Sequence, residues 1–264
     1  MSNGPMPRRR AVLRAAVGLG AAAALVGVSS CSDAPDGVSL SDGVLDTRHG
    51  ADSPRWRLAV PRGATARGLV VALHGAGGDS DNAFSLGYAD AVATTGLALV
   101  SVDGRRSYWH ARADGTDTGA MVRDELIPLA LKRSGLPPLT RVGLLGWSMG
   151  GFGALLLASD LGASRVTGVV AASAALWLRG SETPARAYDG REDFERHSIF
   201  NRVEQLADIP VRLDCGLSDP FIAANRILAG RLARVETHFE PGGHDDAWWS
   251  GHAAAEMGWL AQHS

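Results

Sequence analysis

Cysteine is nearly missing from this chain: its 264 residues carry two, Cys31 and Cys215. Two thiols cannot build the multi-bridge framework of a small disulfide-stapled domain. Lysine is rarer still, Lys132 standing alone among arginines; we read this as a genome-composition bias. No sign of charge dominates, since the formal net charge is −2. That removes the electrostatic case for a nucleic-acid partner. Neither Gly-x-Gly-x-x-Gly nor a Gly-Lys-Ser/Thr phosphate loop occurs, so no nucleotide cofactor is expected. No His/Cys/Asp cluster has metal-ligand spacing, so no metal is expected either. There is no internal repeat and, past the N-terminus, no second long hydrophobic run. With 45% apolar residues, the remainder is long enough for one α/β domain with a well-buried core.

The first 31 residues are a different object. Arg8-Arg9-Arg10 leads an Ala/Val/Leu/Gly run to Val28, and Val28-Ser29-Ser30-Cys31 closes it. A charged start, an apolar stretch and small residues before a cut describe an export signal. Arg9-Arg10-Ala11-Val12-Leu13-Arg14 resembles the twin-arginine signal, and Val28-Ser29-Ser30-Cys31 resembles a bacterial lipobox. The resemblance implies cleavage before Cys31, lipidation of its thiol and anchoring on the outer face of the cell membrane. An uncleaved anchor and an ordinary secretory signal are the other readings. Residues 32–53, rich in Ser, Asp and Gly, read as a flexible tether. Cys215 lies in the apolar run Val211–Leu217 and reads as a buried thiol, rather than a nucleophile or a partner of Cys31.

From residue 54 to 264, strand-like and helix-like runs alternate, which predicts βαβ units and a mostly parallel sheet. Strands are expected at Trp56–Val60, Gly68–Leu73, Leu97–Val102, Val142–Leu145, Gly168–Ala172, Val211–Cys215 and Val235–Phe239. Helices are expected at Asn82–Thr95, Gly119–Arg133, Phe152–Ala158, Phe221–Arg234 and Ala247–His263. Leu176–Arg202, with a short polar helix near Glu192–His197, is the natural lid or pocket wall.

The most informative stretch is Gly146-Trp147-Ser148-Met149-Gly150. It closes an apolar strand and opens an Ala/Leu-rich helix, the setting of a nucleophile elbow. A serine hydroxyl needs a base to take its proton, and the base needs a third group to orient it. Asp219 follows the strand ending at Cys215, and His244 follows the last strand, behind Gly242-Gly243. Each sits on a loop just past a strand end. An Asp before Pro220 and a helical run is also a good N-cap, and the two roles are compatible. Asp214 is the rival acid, but it lies inside its strand.

An oxyanion needs two backbone N–H donors. Met149, next to the serine, supplies one. The loop His74-Gly75-Ala76-Gly77-Gly78 supplies the other, with Ala76 preferred to Gly75. A Gly-rich phosphate cradle is the weaker reading of that loop. His74, Tyr108, Trp109 and Trp147 lie at strand C-termini, where α/β sheets bind ligands, and are candidates for the substrate pocket; core packing is the alternative.

Three separate loops thus agree. On LHGAGGD (Leu73–Asp79), GLLGWSMGGFGALLLA (Gly143–Ala158), CGLSDPF (Cys215–Phe221) and PGGHDDAWW (Pro241–Trp249), the chain from about Arg55 onward resembles the α/β-hydrolase superfamily. More narrowly it resembles the esterase-D and mycolyltransferase-antigen family of serine esterases and acyltransferases. The resemblance implies an α/β-hydrolase fold with helices on both faces and no large cap domain. It implies Ser148 as nucleophile, Asp219 as acid and His244 as base, acting on a small-molecule, lipid or sugar ester. Acyl transfer to a sugar or lipid alcohol, or a non-catalytic cell-surface binding protein on the same scaffold, are the alternatives.

Overall fold

The computed structural model describes Met1, Gly4 and residues 34–50 and 52–264. The export signal and the Cys31 lipidation site lie outside the described residues.

Eight strands form one sheet: β1 (Val38–Val44), β2 (Arg55–Pro61), β3 (Gly68–Leu73), β4 (Leu97–Val102), β5 (Val142–Trp147), β6 (Val166–Ala172), β7 (Val211–Gly216) and β8 (Val235–Glu240). Their spatial order is β1-β2-β4-β3-β5-β6-β7-β8. The first two pairings, β1 with β2 and β2 with β4, are antiparallel, and all the rest are parallel. The inner strands β3, β4, β5 and β6 are buried along their whole length, which is why they read as continuous Val/Leu/Ala runs.

Alternate residues of each strand feed two cores. Leu69, Val71 and Leu73 join the one containing Phe152, Leu155 and Leu126. Val70 and Ala72 join the other, with Tyr88, Trp259 and Leu260. Helices α1 (Asn82–Ser85), α2 (Val92–Thr95) and α8 (Asp246–His263) supply the second core. Helices α3 (Thr118–Met121), α4 (Ile127–Arg133) and α5 (Met149–Leu161) supply the first. The connection between β6 and β7 carries only α6 (Arg191–His197) and three single-turn 3-10 helices. Helix α7 (Ile222–Ala229) joins β7 to β8.

Three expectations need correction. The flexible tether over 32–53 is wrong for Val38–Val44, which pairs with β2 residue for residue. An edge strand meets its partner through backbone hydrogen bonds and faces water on its free side, so Ser and Asp are tolerated there and no apolar period is needed. Residue 54 is therefore not the domain boundary, because Val38 is already fully buried in the second core. The helix expected over Asn82–Thr95 is broken, with Gly87 at φ 87° between its pieces. The helix expected over Gly119–Arg133 persists, but widens into a π turn at Val122–Leu126. Pro128 explains the widening: it has no N–H, and its ring would collide with the carbonyl four residues back. Among the described residues no helix is long and apolar enough to cross a membrane.

Candidate active site

Strand β5 runs straight into α5, and Ser148 is the residue between them. Its backbone sits at φ 55°, ψ −120°, a left-handed region that a side-chain-bearing residue adopts only under constraint. The constraint is visible. Ser148 N donates to Ala172 O at 2.9 Å, and Ser148 O accepts from Ala175 N at 2.9 Å and Phe152 N at 3.1 Å. A Cβ at Gly146 would run into the Gly150 carbonyl, and one at Gly150 would run into the Leu73 carbonyl. The two glycines are required because strand β3, the elbow and the helix approach one another backbone to backbone.

Ser148 Oγ lies 2.9 Å from His244 Nε2, and His244 Nδ1 lies 2.8 Å from Asp219 Oδ2. A neutral imidazole with its proton on Nδ1 satisfies both contacts: it donates to the carboxylate and accepts from the serine hydroxyl. Asp219 has no exposed side-chain surface. Its second oxygen accepts from Phe221 N at 2.8 Å, so the carboxylate is pinned from both sides. The N-cap expectation for Asp219 is not met: the cap position of α7 is Phe221, and the Asp219 bond to the Phe221 N–H closes a local turn two residues on. Gly242, before the histidine, lets the loop pass where a Cβ would strike the Trp248 ring. The His244 ring is flanked by Phe221 at 5.3 Å and by Trp249, edge-on, at 5.0 Å.

The rival acid is otherwise engaged. Asp214 is fully buried and takes three hydrogen bonds from Arg212 at 2.7 to 3.0 Å. Beside it, burial first and the Asp214 charge second push the Glu256 carboxyl well above its ordinary range. Glu256 accepts from the Tyr88 hydroxyl at 2.7 Å. This is an internal ionic network under the sheet, away from His244.

The Met149 N–H opens helix α5, and the Ala76 N–H lies in a turn closed by Gly78 N donating to Gly75 O at 3.1 Å. Neither donates to another group among the described residues. A Cβ at Gly75 would stand 3.4 Å from the Ser148 Cβ, so this loop borders the nucleophile.

The pocket expectation for His74, Trp109 and Trp147 needs correction, because they are 1%, 2% and 3% exposed. They pack behind the site rather than line it. His74 Nε2 accepts from Gly104 N at 2.8 Å while Nδ1 donates to Gly75 O at 2.7 Å; burial lowers the pKa of this ring, consistent with the neutral form these bonds need. His74 therefore ties the turn after β3 to the turn after β4. Trp109 Nε1 donates to His74 O at 3.4 Å, and Trp147 stacks on Tyr88 at 5.5 Å. Tyr108 is also buried, and its ring meets Trp177 at 5.8 Å. Trp177 in turn meets Phe221 edge-on at 5.3 Å. The aromatic rings that border His244 are thus Phe221 and Trp249, with Trp177 packed behind Phe221. Sequence could flag their aromatic character but not which faces converge.

Cys215 is a free, fully buried thiol, pushed up to about 12 by burial. A thiol that holds its proton so firmly is no nucleophile. The fold also collects His110, Asp193 and His197, which sequence spacing did not reveal. The two rings stack face to face, 4.3 Å apart and 26° from parallel. In-plane lone pairs on stacked rings do not converge on one ion. His110 Nε2 instead meets Ala187 O at 3.1 Å and His197 Nδ1 meets Asp193 O at 3.0 Å. The cluster clasps the segment after β6 to the loop after β4.

No curated protein matches the chain. Solved structures do. The fluorophosphonate-binding serine hydrolase FphF of Staphylococcus aureus aligns over 85% of this chain and 98% of its own, at 14% identity and TM-score 0.72. An S-formylglutathione hydrolase from Agrobacterium tumefaciens covers 86% and 96%, at 18% identity and TM-score 0.73. MPT51 of Mycobacterium tuberculosis covers 85% and 98%, at 17% identity and TM-score 0.70. Likeness at such identities carries the fold, which is the α/β-hydrolase fold. The esterase family model described as "Putative esterase" matches residues 99–260, a span running from β4 into α8 that takes in the elbow serine and both loops facing it. On that match the chain belongs to the esterase family, and it is a serine carboxylic-ester hydrolase.

Proposed function

We propose that Ser148, His244 and Asp219 hydrolyse a small ester through an acyl-enzyme. The observation that carries this is the unbroken hydrogen-bond chain from Asp219 through His244 to Ser148. As Ser148 Oγ attacks the carbonyl carbon, its proton passes to His244 Nε2. The Met149 and Ala76 N–H groups hold the oxyanion. Asp219 keeps the Nδ1 proton in place and stabilises the imidazolium. The tetrahedral intermediate collapses, the C–O bond to the alcohol breaks, and His244 Nε2–H protonates the leaving oxygen. Water then repeats the sequence, giving its proton to His244 and releasing the acid from Ser148.

The side chain of His244 is 25% exposed, so solvent reaches the base. That supports water rather than a second alcohol as the usual acceptor. A panel of aryl esters of graded acyl length, given to the protein lacking residues 1 to 31, tests the reading. Burst release of phenol followed by steady turnover is expected. Turnover only on adding a sugar or lipid alcohol would make the protein an acyltransferase instead. No turnover and no burst with a folded protein would leave a binding scaffold.

We further propose that the mature chain begins at a lipidated Cys31 and sits on the outer face of the cell membrane. The support is the Val28-Ser29-Ser30-Cys31 box behind the apolar run. Strand β1 starts at Val38, so the link from anchor to domain is short. It would hold the domain close to the bilayer.

A further inference from the structure

Asn225, on helix α7, is fully buried. A buried amide costs free energy unless its N–H groups find acceptors. These find two, in different turns: Nδ2 donates to Ala174 O at 2.9 Å and to Phe221 O at 3.0 Å. Ala174 lies just past β6 and Phe221 just before α7. Among the described residues no other group donates to Ala174 O.

Both acceptors are one step from the triad. The C=O of Ala174 and the N–H of Ala175 belong to one planar peptide unit. Asn225 holds its oxygen, and its N–H donates to Ser148 O at 2.9 Å. On the other side, Phe221 accepts from Asn225 through its carbonyl and donates through its N–H to Asp219 Oδ1 at 2.8 Å. The Phe221 ring also faces His244 at 5.3 Å.

The sheet does not fix these turns by itself. Strands β6 and β7 pair only as far as Ala172 and Asp214. Ser173 then turns away at φ 49°, its N–H donating to Asp214 O at 2.6 Å. Ser148 is itself held at φ 55°, a conformation that persists only while its neighbours enforce it.

We propose that Asn225 is a positioning residue for the triad. Its single NH2 group sets the separation between the turn that carries Asp219 and the turn that holds the strained Ser148 backbone, and so keeps both within reach of His244. The proposal rests on Ser148, His244 and Asp219 acting together on an ester.

Asn225→Leu keeps the volume and removes both donors. In folded protein it should lower kcat for an aryl acetate about a hundredfold, the scale of an ångström of misalignment, and change KM little. Leu131→Ala is the control. It opens a cavity in the core beneath α4, lowers the thermal midpoint and touches neither turn, so its kcat should stay near wild type. Asn225→Asp is the near-isostere. Protonated, its hydroxyl can donate to Ala174 O; ionised, it would face two carbonyls. The Asn225 Oδ1 meets no donor among the described residues, so burial should raise the pKa of the introduced carboxyl. Its kcat deficit against wild type at the same pH should therefore shrink as pH falls, whereas that of Asn225→Leu should stay constant.

A second readout needs no turnover. The His244 Nδ1–H, 2.8 Å from Asp219, should give a strongly downfield proton resonance that His244→Gln removes. Asn225→Leu should move it upfield, and Leu131→Ala should leave it in place. That shift in a wild type without turnover would sink the hydrolase reading and keep the positioning role. Normal wild-type turnover with kcat and resonance unchanged in Asn225→Leu would do the reverse. A kcat loss that Leu131→Ala matches would reduce the effect to stability and overturn the proposal. So would failure of both Asn225 variants to fold at any pH, which would make the amide a determinant of the fold.

Discussion

Asp219→Asn isolates what the acid contributes, because the structure fixes how the amide would settle. Phe221 N donates to Oδ1 at 2.8 Å. The amide must keep its carbonyl oxygen there, or leave a buried N–H facing an NH2 group. Its NH2 therefore turns toward His244 Nδ1, 2.8 Å from the other oxygen. That nitrogen can accept from an amide but not donate to it, so the imidazole proton moves to Nε2. A protonated Nε2 cannot take the Ser148 proton. The size of the change is one functional group on a fully buried side chain, with packing preserved. The expected loss is about ten-thousand-fold in kcat, or about 5.5 kcal/mol, as for triads in general. The assay is initial-rate hydrolysis of an aryl acetate, with the thermal midpoint recorded for the same sample. Asp214→Asn is the matched control. It leaves the Arg212 charge buried and poorly paired, which should cost about 3–5 kcal/mol of stability. In protein that remains folded, however, it leaves His244 untouched. An Asp219→Asn enzyme within about tenfold of wild type, or an Asp214→Asn enzyme that is folded yet the slower of the two, would refute the assignment.

Other outcomes follow from the same geometry. Ser148→Ala should lower ester turnover about a million-fold with the thermal midpoint kept, and a fluorophosphonate should label only Ser148 in the wild type. Gly150→Ala should cost more than about 4 kcal/mol, because its Cβ would occupy the space of the Leu73 carbonyl; a soluble variant with a wild-type melting curve would contradict the packing described. Cys215 should resist iodoacetamide in native protein at mildly alkaline pH and react once unfolded. Its native thiol keeps its proton up to about 12, so the stability this lends is whole below the unfolded-chain value and is lost as pH rises toward 12. Mass spectrometry of the membrane fraction should find an N-terminal, lipid-modified Cys31, with Cys31→Ser releasing the protein; any other N-terminus would end the lipoprotein reading.

The sequence by itself determined a good deal. Buried parallel strands must be apolar end to end, so β3 through β6 could be read within a residue or two. A nucleophile elbow demands glycine where backbones touch, so Gly146 and Gly150, set between an apolar strand and an Ala/Leu-rich helix, pointed to Ser148. Chain order and loop position then picked Asp219 and His244, because the C-terminal ends of parallel strands all open on one edge of the sheet. Local patterns failed where the deciding contact was distant. Val38–Val44 looked like a tether because an edge strand is specified by its partner's backbone, not by its own side chains. His74, Trp109 and Trp147 looked like pocket residues because their chain positions are right; only packing shows that they face inward. The pairing of Asp214 with Arg212 and the convergence of Phe221 and Trp249 on His244 were invisible for the same reason. Each joins residues far apart in sequence or depends on which way a side chain turns, and that is settled by the free energy of the whole fold rather than by any stretch of the chain.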